Sequence, residues 1–276
     1  MIKIVTDSSV DLPDDIARDL DITIVPLTIH FGEKTYVDGR DLTADAFYKM
    51  LTTEPAHPRT AQPAVGVFEE MYRSFAARGH EVVVLTLAAE LSGTYNSAML
   101  AVQGVPEAQV TVIDSRVLSM GMGIIVMRAA QLAREGRDRT EIAAAVQAMI
   151  PHVSVYIMVD TMTYLQRGGR IGRASAFAGA LLNVKPILGL QNGTVVPLQR
   201  VRSRAKALQE MLNIVQKEMP IGDFYIMHTA APALGQEFEK MVEPIYGKPI
   251  RVLPLGPVVG VHIGPGALGL GILSAR

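Results

Sequence analysis

The sequence predicts an α/β protein of two different α/β domains: residues 1–151 a doubly wound, mostly parallel sheet, and residues 152–276 a mixed sheet with helices. Three observations carry that expectation. Strand and helix patterns alternate through the first 150 residues, the rhythm of βαβ units. After Pro151 the pattern changes, and two apolar runs flank Gln191-Asn192-Gly193, where Asn-Gly is the strongest short-range hairpin signal. The third is charge: residues 1–150 hold 13 basic and 20 acidic side chains, a net of −7, while residues 151–276 hold 13 basic and 7 acidic, a net of +6.

Each element has a local reason. Residues 2–5 are a short apolar strand ending in Thr6-Asp7-Ser8-Ser9, and Leu12-Pro13-Asp14-Asp15 opens a helix with proline and acids in its first turn. Residues 22–31 are β-branched enough for one strand, Gly32-Glu33 a turn, and 43–51 a short helix. Arg59-Thr60-Ala61-Gln62-Pro63 reads as a polar loop before a helix over about 64–78. Residues 81–87 are a continuous apolar strand of the kind buried on both faces of a parallel sheet. A helix beginning near Ser92, a strand over 110–113, and helices over about 119–134 and 140–150 close the half.

The second half opens with a strand over 153–159 and a short helix over 161–166; Gly168-Gly169-Arg170 then breaks the chain before another helix to about 182. Strands over 186–190 and 194–201 form the hairpin. A helix over 203–218, a strand near 224–228, a helix over 233–246 and Gly/Pro-rich terminal strands complete the chain. The boundary falls near Pro151. Compact domains joined by a short connection leave a cleft, a common place for ligands.

Composition excludes several classes. With 49% apolar and 19% charged residues, the chain can bury a full core, so disorder is excluded. A total of −1 argues against non-specific nucleic-acid binding, which needs a strong positive excess, and the absence of Trp makes a base-stacking surface improbable. No cysteine means no disulfide, iron–sulfur cluster, thiolate zinc site or thiol nucleophile. The sequence from Met1 reaches an acid within seven residues, without a signal-peptide core, so a cytoplasmic protein is expected. Residues 252–275 are 24 uncharged residues in a row, but three prolines and six glycines interrupt them. They read as buried strands and tight turns, with no stable membrane insertion.

Most chemical motifs are absent. Gly264-Pro-Gly266-Ala-Leu-Gly269 matches a dinucleotide fingerprint by spelling only, because no acid follows about twenty residues later. There is no phosphate-binding P-loop, nucleophile elbow or His-Glu-x-x-His, and no two of the six histidines share a helical face. What remains is a set of hydroxyls at loop-to-helix junctions. Ser92 follows the strand ending near Leu87, and is either a plain N-cap or part of an anion site at a helix N-terminus. Thr60 invites the same two readings, and Asp114-Ser115-Arg116, after another strand, reads equally as a site of this kind or as an Asp cap paired to an arginine. His262 is a buried core histidine or a functional one. Arg167, Arg170 and Arg173, and the alternating Arg200, Arg202 and Arg204, are solvated surface or an anion site.

Six segments together resemble the DegV family: residues 4–13 (Ile-Val-Thr-Asp-Ser-Ser-Val-Asp-Leu-Pro), Thr60-Ala-Gln-Pro63, Leu91-Ser-Gly-Thr-Tyr-Asn-Ser-Ala98, residues 112–116 with 119–123, residues 160–172 and His262-Ile-Gly-Pro-Gly-Ala-Leu-Gly269. The resemblance implies a bacterial fatty-acid-binding protein of two α/β domains with the lipid between them. It further implies presentation of the carboxylate to a separate fatty acid kinase, which makes an acyl phosphate for phospholipid synthesis. The chain itself is then no enzyme: no catalytic residue, metal or cofactor is expected, only a palmitate-like long-chain fatty acid as ligand. Head-group contacts fall by resemblance on Thr60 and Ser92, with Gly93, Thr94 and His262 nearby; Arg202 and Arg170 face the phosphate or the kinase. One departure stands out: the family often has Thr-Ser-Gln-Pro where this chain has Thr60-Ala61-Gln62-Pro63, so one hydroxyl is absent.

Physical chemistry fits this reading. Hydroxyls at a helix N-terminus can hold a carboxylate without a fully buried ion pair. Fourteen methionines, and stretches such as residues 120–127 and 176–182, suit either an adaptable tunnel wall or ordinary core. The alternative is a lipid- or carboxylate-processing enzyme with His262 as base beside Ser92, although no acid is clearly placed to orient the histidine. The opposite charges of the halves are expected to help hold the domains together.

Overall fold

The computed structural model describes residues 1–177 and 184–275. Strand β1 (Ile2–Asp7) leads through α1 (Asp14–Asp19) to its parallel neighbour β2 (Ile22–Val25). Next come β3 (Thr28–Phe31), β4 (Lys34–Val37), α2 (Ala44–Thr53) and β5 (Arg59–Ala61), whose strands form a small antiparallel sheet in the order β4-β3-β5. Helix α3 (Val65–Ala76) returns the chain to β6 (Glu81–Thr86), and α4 (Thr94–Gly104) connects to β7 (Val110–Asp114). The parallel sheet runs β2-β1-β6-β7. Its order reverses between β1 and β6, and open α/β sheets take ligands outside the carboxyl ends of strands at such a point.

Helices α5 (Ser119–Arg134) and α6 (Arg139–Met149) lead into the second sheet. It is built from β8 (Val153–Met158), β9 (Lys185–Gln191), β10 (Thr194–Val201), β11 (Ile221–His228), β12 (Arg251–Pro254) and β13 (Leu268–Ser274). The order is β10-β9-β8-β13-β11-β12, antiparallel except for β11 with β12. Its helices are α7 (Thr163–Arg167), α8 (Arg204–Glu218), α9 (Pro232–Tyr246) and α10 (Pro257–Ile263). The fold class is therefore as expected, a parallel sheet and a separate mixed one. The β9–β10 turn has positive φ at both Asn192 and Gly193, as a type I′ turn requires.

Four expectations of local structure are corrected. The single strand over 22–31 is two strands in different sheets, because Pro26 has no N–H for a ladder and the Leu27 N–H goes to Ser8 Oγ at 3.1 Å. The polar loop at Arg59-Thr60-Ala61 is β5, whose pairing with β3 sets Thr60 opposite Ile29. The tail over 252–275 contains a helix, α10, with Pro257 in its first turn and Gly264 at φ 71 closing it. Because α10 is buried nearly all round, its sequence lacks the polar stripe that marks a surface helix. The helix expected to about 182 is a 3-10 turn over Gly172–Phe177, and 178–182 lie outside the described residues. No helix among the described residues is long and apolar enough to cross a membrane.

The two sheets meet through α5. Its residues from Ser119 to Val126 are buried, and it packs on β1 of one sheet and on β13 of the other. Gly271 allows the closest approach, since a Cβ there would lie 3.0 Å from the Gly121 nitrogen. One continuous core runs from Ile4, Val83 and Leu85 to Val155, Leu188 and Met227. Met120 and Met122 belong to that core, the ordinary reading of the 120–127 stretch. The opposite charges of the halves are not what joins them: Arg251 meets Asp15 across the junction at 3.5 Å, but both are exposed, and such a pair contributes little. The closer pairs Lys3–Asp21 and Arg139–Glu81 stay within the first half.

Three carboxylates are buried where β1 ends. Asp7 accepts the Leu87 N–H at 2.8 Å and both the N–H and hydroxyl of Ser9, tying the ends of β1 and β6 together. Asp11 accepts the Gly256 N–H at 2.8 Å at the start of α10. Asp38 sits nearby, and Asp11 Oδ2 and Asp38 Oδ1 have no partner among the described residues. Burial pushes Asp7 and Asp38 up to about 6 and Asp11 up to about 7, with like-charge repulsion adding to each of the last two.

A sign follows for stability. Between pH 4 and 7 the folded chain holds more protons on these groups than the unfolded chain, so their contribution is present at low pH and lost as pH rises. Each group can supply at most about 1.4 kcal/mol per pH unit within its window. Asp11→Asn keeps an acceptor for Gly256 and tolerates the positive φ at this position. Denaturant midpoints from pH 5 to 8 are expected to fall less with rising pH in this variant than in wild type.

Candidate functional site

A cavity of about 120 Å³ opens at the carboxyl edge of the parallel sheet, beside the β1/β6 reversal. Strand periodicity builds its floor. Val155 and Ile157 of β8, Leu188 and Leu190 of β9 and Val195 of β10 share one face of the mixed sheet, with Ile157 opposite Leu188 and Leu190 opposite Val195. The facing wall comes from Leu27, Leu87 and Leu91 at the ends of the first half's strands, and from Val258, Val259 and Ile263 of α10. Against these apolar walls stand Ser9, Thr60, Gln62, Ser92, Arg170 and His262.

Two of them come from opposite ends of the chain. Thr60 on β5 and His262 in the last turn of α10 meet at 3.0 Å between Oγ1 and Nε2. The imidazole is pressed against Gly168, where a Cβ would lie 2.2 Å from Nδ1, and Nδ1 is buried without a partner among the described residues. Burial, with Arg170 and His57 adding to it, pushes His262 down to about 3. The ring is therefore neutral near pH 7. Placing its single proton on Nε2 avoids an orphaned buried N–H and makes Thr60 Oγ1 the acceptor, which frees the threonine hydroxyl to donate into the cavity.

Ser92 stands one residue before the N-cap position expected of it. Its Oγ accepts the Thr94 N–H at 3.3 Å, closing the turn into α4, and the residue lines the cavity. Thr94 is fully buried and lies outside the lining; its Oγ1, 2.9 Å from Ser92 Oγ, holds the serine in place. Gly93 occupies the N-cap position of this eleven-residue helix, whose free N–H groups and dipole favour an anion.

The arginines divide. Arg170 lines the cavity, its guanidinium held by the Leu91 carbonyl at 3.1 Å and the Gly168 carbonyl at 2.7 Å. Arg202 is exposed and outside the lining. The expected alternation of Arg200, Arg202 and Arg204 fails because β10 ends at Val201 and Ser203 caps α8, accepting the Lys206 N–H. Arg200 stacks on Phe177 with its guanidinium carbon 4.5 Å from the ring centre. Asp114 is a cap, accepting the N–H groups of Ala89 and Arg116.

Ser9 and Gln62 were not among the expected site residues. A strand reading of 59–61 would have found Gln62, because a period of two puts it on the face of Thr60. Ser9 lies just past β1 at the edge where ligands bind, the signal available for it. Among the described residues no group of three or more His, Asp or Glu side chains is placed to hold a metal. Chemically, the site offers neutral donors and one cation beside a long apolar wall. Ser92 is bonded to Thr94 and His262 to Thr60, and Gly168 stands where an acid would have to orient the imidazole.

Known proteins resemble this chain over nearly its whole length. A family model described as uncharacterised protein, DegV family, matches residues 1–275. A DegV domain-containing protein from Caldanaerobacter subterraneus is 33% identical over 280 residues, covering 98% of this chain and 97% of the relative. A solved structure described as fatty acid binding of a DegV family protein from Thermus thermophilus aligns with a TM-score of 0.90 at 33% identity, covering 99% of each chain. A stearic acid-binding protein from Eubacterium ventriosum aligns with a TM-score of 0.91 at 29% identity, covering 99% of this chain and 98% of that one.

The neutral state of His262 is open to measurement. NMR of its imidazole nitrogens is expected to show no protonation down to about pH 4. In Gly168→Ala the new methyl displaces the ring from its buried seat, and its pKa is expected to move back toward the ordinary 6.5. A wild-type titration near pH 6 would show that the imidazole is not held in a desolvated seat.

Proposed function

The chain belongs to the DegV family, and on that premise we propose that it binds a long-chain fatty acid between an N-terminal domain, 1–151, and a C-terminal domain, 152–276. The observation that carries this is a cavity with apolar walls and a set of polar groups gathered beside them. Thr60 and Ser92 donate to the carboxylate, His262 donates to Thr60 Oγ1 and so turns the threonine hydroxyl toward the ligand, Gly93 and Thr94 shape the turn that presents Ser92, and Arg170 supplies the opposite charge. The acyl chain lies along the floor of Val155, Ile157, Leu188 and Leu190. Burying each methylene contributes ~0.8 kcal/mol, so a palmitate-like chain gains on the order of 10 kcal/mol before ordering costs.

In this reading the protein is a carrier in the cytoplasm, without catalytic residue or cofactor. It presents the carboxylate to a separate fatty acid kinase, which forms an acyl phosphate for phospholipid synthesis. Arg170 at the cavity and exposed Arg202 face the phosphate and the kinase. The descriptions of the Thermus and Eubacterium proteins support the ligand class. Nothing in the site favours an enzyme, since His262 lacks an orienting acid and Ser92 lacks a base.

Solvent extraction of the purified protein followed by mass spectrometry is expected to yield close to one long-chain fatty acid per chain. Thr60→Ala with Ser92→Ala removes two hydrogen bonds to a charged group, and affinity is expected to fall on the order of 100-fold or more. Unchanged occupancy and affinity in the double variant would count against this head-group site.

A further inference from the structure

Gln62 has a place that the head-group reading leaves unused. Among the described residues lining the cavity it is the one whose side chain is exposed to solvent. Its carboxamide reaches from the end of β5 to α4, where Nε2 donates to Ser97 Oγ at 3.3 Å. On the way it lies flat on Gly93: a Cβ there would stand 2.4 Å from Gln62 Oε1 and 2.5 Å from Nε2. Gly93 separates Ser92 from Thr94, so the carboxamide roofs the turn that carries the Ser92 hydroxyl.

We propose that the Gln62 side chain is the gate over the polar end of the cavity, closed when its carboxamide rests on Gly93 and bonds Ser97, and open when it swings clear. This rests on the fatty acid reading and specifies how the bound carboxylate is reached. The chemistry suits a gate. A carboxamide is neutral, so it covers an anion without repelling it or binding it as a permanent ion pair. Its single hydrogen bond to Ser97 is long, and one such bond holds the closed state by a small factor. Exposed side chains exchange rotamers within nanoseconds. The backbone beneath is fixed by β5 and the buried Pro63, which confines the movement to the side chain. The absence of a side chain at Gly93 acquires a reason, because the gate needs that space as its seat.

Two substitutions open such a gate by different routes. Gln62→Ala removes it, and Gly93→Ala fills its seat while leaving the glutamine in place. The full-length protein is loaded with palmitate, and loading is measured by extraction and mass spectrometry. A water-soluble carbodiimide and glycine ethyl ester then convert accessible carboxylate to an amide, with urea as the released product. Deuterated palmitate in solution acts as a trap that reports reaction of dissociated lipid. Per bound palmitate, the amide is expected to form about fivefold faster in each variant than in wild type, the factor one exposed hydrogen bond controls. The double variant is expected to be no faster than either. Equal rates in wild type and both variants, with palmitate bound in all, would overturn the gate and leave the fatty acid reading standing. Wild-type protein that takes up no palmitate would sink both.

Discussion

A helix with no polar side has to be covered from two directions, and that requirement on α5 organises this molecule. From Ser119 to Val126 every residue of α5 is buried. The parallel sheet can cover one side only. The second sheet must therefore pack on the other: Gly271 lets β13 approach the helix backbone, and Gly121 makes room for Val155 of β8. Two unlike sheets so share one core, and their separation is set by the width of a helix. Leu118, just before the N-terminal end of α5, lines the cavity, which lies where this spacer ends.

What closes that gap is chain borrowed from the far end of the sequence. Helix α10 leaves the second sheet and packs on α2, β3 and β5 of the first half. It is fastened at its start by the Asp11 carboxylate on the Gly256 N–H, and by the Tyr48 hydroxyl on the Leu255 carbonyl at 3.1 Å. Gly260 permits the contact, since a Cβ would strike the rings of Phe47 and Tyr48. The last turn of α10 then delivers His262 to Thr60 across 202 residues of sequence. The fastening leaves three acids buried together, and their raised pKa values record that burial cost. Such groups persist in a fold when what they position cannot be positioned otherwise.

Much of this was legible before the structure. The alternation of strand and helix and the Asn192-Gly193 turn are local signals, and local signals survive folding intact. Thr60, Ser92 and His262 were legible as residue types in suggestive places, though not as neighbours. What escaped has one cause, since each missed feature depends on a distant partner. β5 is a strand only because β3 offers it an edge, and its polar sequence gives no hint of that edge. α10 hides its helical period because it is buried all round, so no alternation with solvent marks it. The arithmetic of charge also misled: halves of opposite sign suggest attraction, whereas the junction is apolar and its cross-half ion pair exposed.

The electrostatics of the polar end follow from which groups keep their charge when buried. An imidazole pressed on Gly168 can shed its proton, and His262 has done so, which leaves it a hydrogen-bond donor at no cost in buried charge. A guanidinium has no such escape, because it does not deprotonate in proteins. Arg170 is held instead by the carbonyls of Leu91 and Gly168, whose dipoles stabilise its positive charge. The site therefore carries one fixed positive charge and a set of neutral donors. A carboxylate entering it meets partners already oriented and needs no proton to move. An uncharged ester or alcohol would use the donors but leave the guanidinium facing an apolar cavity without a counter-ion, a worse arrangement than water provides. On the proposed reading, discrimination in favour of a free acid comes from one residue that keeps its charge beside another that gives it up.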